Sequence, residues 1–352
     1  MTDATAPVDC DVHPEVPGIA ALLPYFDDMW RDMVVRRGIE DMRSLSYPVN
    51  GPLTVRADWR DAAGQGATDP VRLAAEALAP FGTGTAILNC LYGVQLPFSE
   101  DMGAAFARAV NDWLAREWLD RDDRLRASIV VPSQSTAFSV AEIERLAGDR
   151  RFVQVLMLAS GDRPLGKREY WPIYEAAVRH GLPIGVHAGS SYRSPPSPVG
   201  WPTYHAEDYV NQSAAFQGAL TSLVAEGVFA RFPTLTVVLL ESGWTWLPAH
   251  LWRLDKFWRG VRAEVPWVDR PPSQIVRERV RFTLQPVDAP PDPAVLERLL
   301  EHVGSDEMLL FSTDYPHAQF EGAHAVPNGL PAGLARKMMV DNPRATYPRL
   351  AL

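Results

Sequence analysis

Four short apolar segments of this chain each end in side chains able to bind a cation. They are Val8-Asp9-Cys10-Asp11-Val12-His13, residues 183–187 ending in His187, residues 235–241 ending in Glu241, and residues 309–314 ending in Asp314. Asp11 and His13 stand two apart, so on an extended strand both project to one face and can grip a single ion. His187 adds an imidazole and Asp314 a carboxylate from far along the chain. A lone Asp-x-His is a weak signal, because a histidine near a strand end is more often a hydrogen-bonded core residue. Four such segments in order reverse the balance, since ligands at the ends of separate strands make one site at one face of a closed sheet. The pattern indicates a metalloenzyme.

The elements that would position these groups are runs rich in Val, Ile, Leu and Phe at 8–13, 84–91, 126–132, 152–159, 183–188, 235–241, 280–286 and 308–313. Continuous apolarity is what parallel strands covered on both faces require. Helical spacing fills the intervals at 70–80, 100–120, 139–148, 170–180, 206–230, 246–263, 293–303 and 330–341. This alternation predicts an α/β protein built as a single (β/α)8 TIM barrel. Residues 1–352 are expected to form one domain, since no stretch reads as a linker. Two connections are long: 35–69 after the first strand and 190–207 after the fifth. Both follow strand C-terminal ends, the face where such barrels carry their active sites. They bring Tyr47, Trp59, Tyr192, Trp201 and Tyr204, either as a wall for a bulky apolar substrate or as ordinary loop anchors.

Composition bounds the partners. A chain of 352 residues, 47% hydrophobic and 22% charged, can bury a large core. A formal charge of -9 argues against a nucleic-acid partner, which demands a basic face. No window approaches the apolar length of a membrane span, and the first residues lack a basic segment leading into an apolar run. A cytoplasmic protein without membrane association is expected. Cys10 and Cys90 lie in apolar runs and are expected as packed thiols. Neither a phosphate-cradling loop nor a dinucleotide fingerprint occurs, so any electrons would come from a separate donor.

The segments Val8-Asp9-Cys10-Asp11-Val12-His13, Gly185-Val186-His187-Ala188-Gly189, Phe232-Pro233-Thr234-Leu235 with Glu241-Ser242-Gly243, and Phe311-Ser312-Thr313-Asp314-Tyr315-Pro316-His317 resemble the amidohydrolase-related metal-dependent barrels. The branch is the one containing aromatic-acid decarboxylases, and the likeness runs to Asp341-Asn342-Pro343, nearly the whole chain. It implies Asp11, His13, His187 and Asp314 as metal ligands. Two positions depart from the common pattern. Asp11 stands where many relatives have His or Glu, and Glu241 where many have a His that binds metal or acts as acid and base. None of the lysines, Lys167, Lys256 and Lys337, lies at the end of the fourth strand, where binuclear hydrolases of this superfamily carry a carbamylated bridge. Glu241 could take that place, with His205, Glu207, Asp208 and His317 as further donors nearby.

With these departures the chain is similar to the TIM-barrel nonheme diiron monooxygenases of the platensimycin and platencin type. That likeness implies two Fe ions held by Asp11, His13, His187, His205, Glu241 and Asp314, with Glu241 and His317 in catalytic roles. It implies O2, an external electron donor, and hydroxylation of an unactivated C–H in a bulky terpenoid or acyl substrate, CoA-linked ones included. Arg193, Lys256, Arg259 and Arg262 would serve a CoA handle, or simply form a solvated charged face. The alternative is a mononuclear hydrolase or nonoxidative decarboxylase with one Zn or Mn, in which Asp314 is the general base. The donor types alone do not choose among iron, manganese and zinc. Barrels of this kind frequently form dimers, so a homodimer is expected. His180, His250, His302 and His324 are expected to be structural or weak candidates. The run Trp244, Trp246, Trp252 and Trp258 is expected to pack helix against barrel or subunit against subunit.

Overall fold

The computed structural model describes residues 5–42, 54–191, 193–195, 197–320, 322 and 326–351. All of the apolar runs form strands: β1 (Val8–Val12), β2 (Thr85–Leu88), β3 (Leu125–Val130), β4 (Phe152–Ser160), β5 (Ile184–Ser190), β6 (Val237–Leu240), β7 (Val280–Thr283) and β8 (Leu309–Leu310). They pair in parallel in chain order. Every residue of β1, β2, β5 and β6 is buried, as the uninterrupted apolar runs require of strands covered on both faces.

Closure depends on the segment after β8. Cys10 N donates to Phe311 O at 2.9 Å, Asp314 N to Asp11 O at 3.0 Å, and His13 N to Tyr315 O at 2.8 Å. These bonds join the two ends of the sheet in a (β/α)8 barrel of the α/β class. They also set the first and last chemically promising segments side by side. Helices Glu100–Leu114, Thr136–Leu146, Trp171–Arg179, His205–Ala225, Leu247–Val261 and Pro293–Val303 cover the outside where helical spacing predicts them. Helices Asp28–Arg37 and Pro272–Arg279 were not expected. Among the described residues, no helix is long and apolar enough to cross a membrane.

The barrel interior tolerates bulk unevenly. Gln154 of β4 reaches across it, and a Cβ placed on Gly185 of β5 would lie 2.5 Å from the Gln154 amide. That amide is held at 2.8 Å by Ser128 Oγ and at 3.1 Å by Asn89 Oδ1, so it has nowhere to swing. Gly185→Ala is therefore expected to lower the unfolding free energy by about 1–3 kcal/mol, the usual cost of overpacking. The measurement is the denaturant midpoint at unchanged m-value.

Candidate metal centre

The C-terminal ends of the strands bring together most of the side chains that spacing singled out. Asp11 lies on β1 and His13 follows it, both on the face that looks into the barrel. His187 lies on β5, Glu241 directly follows β6, and Asp314 follows β8. Glu241 and Asp314 both adopt left-handed backbone, with φ of 53° and 56°. Such conformations cost non-glycine residues of order 1–3 kcal/mol and gather at functional sites. Neighbouring strands hold them: Glu241 N donates to Thr283 Oγ1 at 3.0 Å, and Asp314 N to the Asp11 carbonyl.

The side-chain atoms converge. Potential donor atoms of His13, Glu241, Asp314 and His317 lie within 4.8 Å of one another, as do those of Asp11, His13 and His187, and the two groups share His13. His13 Nε2 is 2.9 Å from Asp314 Oδ1 and 3.3 Å from Asp11 Oδ1. His317 Nδ1 donates to the same Asp314 oxygen at 2.8 Å, and its ring stacks on His13 with centroids 4.6 Å apart. His187 Nε2 is 3.2 Å from Glu241 Oε2 and 3.9 Å from Asp11 Oδ2.

Charge is crowded here. Burial raises the Asp11 carboxyl, against the pull of His13 and with the push of Asp314. Burial and the Asp314 charge raise Glu241 well above its ordinary value. Burial would also raise Asp314, but His317 and His13 hold it below the carboxylate range. Burial alone would lower His13, yet Asp11 and Asp314 push it up to about 9. His187 is lowered to about 3 by burial and by the charge of His13, so it stays neutral.

A cation resolves this arrangement. His187 Nδ1 lies 2.7 Å from Ala188 O and must carry its proton there, which leaves a bare lone pair on Nε2 facing the carboxylate oxygens of Glu241 and Asp11. Asp11 Oδ2, Asp314 Oδ2 and His187 Nε2 are all buried without a hydrogen-bond partner. Buried polar atoms are normally satisfied, and acceptors facing acceptors repel. The donor set of imidazole and carboxylate without thiolate fits zinc, manganese or iron.

Not every expected residue joins the cluster. His205 lines the same cavity from the first turn of helix His205–Ala225 but belongs to neither donor group. Glu207 caps that helix, accepting from Thr203 N and Tyr204 N at 2.8 Å each. Asp208 is buried at the cavity wall. Among the loop aromatics, Trp59 is buried against Tyr315 and Phe320, whereas Trp201 and Tyr204 are exposed, and none of them lines the cavity. Tyr47, Tyr192 and His324 lie outside the described residues. Tyr92 and Tyr209 provide the aromatic wall instead. The cavity measures about 240 Å³, small for the bulky substrate expected. Arg193 does not await a CoA phosphate: it pairs with Asp162, donates to Pro97 O at 2.8 Å and lies over the Phe98 ring. Lys256, Arg259 and Arg262 are exposed, and none lines the cavity.

Of the remaining histidines, His180 pairs with Glu144, His250 bonds Thr221 and His302 packs on Trp252. Asn89 is the residue that spacing analysis missed. Its Nδ2 donates to Asp11 Oδ1 at 2.8 Å and its carbonyl accepts from His13 Nδ1 at 2.9 Å. It follows β2 as His13 follows β1, so extending the strand-end rule to amide side chains would have found it.

The model of the amidohydrolase family matches residues 8–349. Among curated proteins, the chain is similar to gamma-resorcylate decarboxylase of Polaromonas sp. (strain JS666). The two are 24% identical over 235 residues, or 62% of this chain and 68% of that protein. Among solved structures, an amidohydrolase from Mycobacterium avium subsp. paratuberculosis superposes with a TM-score of 0.70 at 18% identity, over 97% of this chain and 98% of the other. The 2,6-dihydroxybenzoate decarboxylase from Rhizobium gives 0.67 at 20% identity, over 98% and 99%. The dihydroxybenzoic acid decarboxylase from Polaromonas, with bound manganese and the inhibitor 2-nitroresorcinol, gives 0.65 at 19%, over 98% and 97%.

These relatives correct the expectation of a platensimycin-type diiron monooxygenase. They are decarboxylases and an amidohydrolase, and nothing in them supports O2, an electron donor or a CoA-linked substrate. The carboxylates that suggested oxygen chemistry gather in two overlapping groups that share His13. Matched from β1 to the last turn of the described structure, the chain belongs to the amidohydrolase family.

Proposed function

We propose that this chain is a divalent-metal-dependent, oxygen-independent decarboxylase of small hydroxylated aromatic acids. The observation that carries the proposal is the set of buried, unpartnered acceptor atoms on Asp11, His187 and Asp314, beside a cavity of about 240 Å³ that His13, His187, Glu241 and His317 line. One ion, manganese or zinc, would be held by Asp11, His13, His187 and Asp314, with Glu241 beside them. When bound it supplies Lewis-acid polarisation of the substrate's oxygens. The decarboxylases among the relatives, one of them with bound manganese, support the same chemistry.

The chain's own residues supply the rest. Val16, Val55 and Leu91 make the cavity wall apolar, which suits a single aromatic ring and excludes water. His317 lines the cavity, and burial, which would lower it, is outweighed by Asp314, so it is raised above the ordinary imidazole value and its protonated form is favoured. Its Nδ1–H is anchored on Asp314 Oδ1. As the bond to the carboxyl carbon breaks, its electron pair stays on the ring carbon and the proton held by His317 adds there. Carbon dioxide leaves, and solvent reprotonates the imidazole.

A hydrolytic use of the same centre, with Asp314 as general base, is the second reading. It is favoured by one feature: among the described residues, neither Lys nor Arg lines the cavity, so apart from the ion and the imidazoles a substrate carboxylate meets only neutral donors such as Tyr92, Tyr209 and Gln212. Manganese-loaded enzyme incubated under argon with ortho-hydroxybenzoates and with aryl esters separates the two. Carbon dioxide release without oxygen is the expected result. Ester cleavage with no carbon dioxide from any acid would replace decarboxylation by hydrolysis.

A further inference from the structure

We propose that Asn89, Ser128, Gln154 and Tyr347 are positioning residues that tie the metal centre to the C-terminal segment of the chain. The inference rests on the metal-centred reading above. All four side chains are fully buried, as is Asp11. The Tyr347 hydroxyl donates to Gln154 Oε1 at 3.1 Å. Gln154 Nε2 donates to Ser128 Oγ at 2.8 Å and to Asn89 Oδ1 at 3.1 Å. Ser128 Oγ donates to Asn89 Oδ1 at 2.6 Å, and Asn89 Nδ2 donates to Asp11 Oδ1 at 2.8 Å.

Every donor points the same way, from Tyr347 towards Asp11, and bonds aligned in this manner polarise one another. The direction is fixed by stereochemistry. If the Asn89 amide flipped, its oxygen would face the Asp11 carboxylate and its NH2 would face the Ser128 and Gln154 donors. Asn89 is the junction, because its backbone carbonyl also takes His13 Nδ1 at 2.9 Å, a bond that lies beside the side-chain relay. Asp11 Oδ1 is thereby engaged from below and Oδ2 is left facing His187. His13 Nδ1 is engaged likewise, and Nε2 is left facing Asp314. The relay thus selects which atom of Asp11 is presented, and the Asn89 backbone does the same for His13. Tyr347 follows the short helix Asn342–Thr346 and does not line the cavity, so any influence it has on the ion must pass through these bonds.

The test is manganese(II) titration of chelator-stripped, full-length protein. Tyr347→Phe keeps the ring and removes only the hydroxyl. It is expected to weaken manganese binding about 10-fold, and Asn89→Ala about 10- to 100-fold, as for other groups behind metal ligands. The kcat of Tyr347→Phe at saturating manganese should match wild type. Tyr174→Phe is the control, since that tyrosine is equally buried but its hydroxyl bonds Leu165 O on the outer helical layer. Its manganese affinity should stay at the wild-type value. Ser128→Ala gives a second interior probe if Tyr347→Phe does not fold. Wild-type affinity in both interior variants, or an equal loss in Tyr174→Phe, would overturn the relay. Wild-type protein that takes up no manganese or zinc would overturn the metal reading itself, and the relay with it.

Discussion

Replacing Asp314 by asparagine is expected to lower turnover by about 10³-fold, since Asp314 both holds the ion and anchors His317, the acid of the proposed reaction, while the barrel stays folded. Asp314 Oδ1 accepts from His13 at 2.9 Å and from His317 at 2.8 Å, and its Oδ2 is buried without a partner. An amide offers only one acceptor oxygen. If that oxygen keeps the two imidazoles, the NH2 lies where Oδ2 was and repels a cation. If the amide turns over, its NH2 meets the imidazole donors. Folding responds differently. Asparagine tolerates the φ of 56° at this position. Losing one carboxylate also relieves Asp11 and Glu241, both raised by burial and further raised by the Asp314 charge. Asp314 is itself held below the carboxylate range by His317 and His13, so its loss also removes stabilising ion pairs. The two effects oppose, and the metal-free variant should melt within about a few degrees of metal-free wild type, while added manganese should no longer raise its melting temperature. A metal-free variant that melts many degrees lower would make Asp314 a folding residue rather than a ligand.

Much of the scaffold was legible because burial on both faces leaves a strand little choice but continuous apolarity, and each of the apolar runs became a strand. Helix Asp28–Arg37 was missed because it buries only Val34 fully and shows little apolar periodicity. Its ends were readable all the same: Asp27 accepts from Trp30 N as an N-cap, and Gly38 closes the helix at φ 62°. In the site, the Asp11 and His13 spacing carried true information, since alternate residues of a strand share a face. The error lay in turning carboxylate content into oxygen chemistry, which the decarboxylase relatives do not support. Composition cannot tell which reaction a cluster of carboxylates and imidazoles serves, because the same donor types suit several metals. His205 was nominated by topology, but a residue in the first turn of a helix at a cavity mouth can face the substrate space without reaching the floor. The interior polar residues Ser128 and Gln154 gave no signal, because an isolated polar residue in an apolar run looks the same whether it binds a neighbour or marks an edge.

Stripping the metal is expected to abolish turnover and to lower the melting temperature, and both should return with manganese. A ligand at about 1,000 times its Kd stabilises the folded state by about 4 kcal/mol. Spread over the unfolding entropy of a chain this long, that corresponds to roughly 5 °C. The pH dependence has a definite sign. In the metal-free protein the Asp11 and Glu241 carboxyls are raised and still carry protons in mildly acidic solution, and His13, pushed up to about 9, carries one across the whole range. A cation must displace those protons to bind. Affinity should therefore fall as pH falls from 8 to 6, by about tenfold per unit for each proton released. His187, lowered to about 3, stays neutral over this range and adds nothing to the slope. The check is manganese titration at several pH values beside melting curves at fixed metal. Affinity that does not change with pH would mean that Asp11, Glu241 and His13 already lack their protons without the ion, and that the crowding of buried carboxylates is relieved by something other than metal.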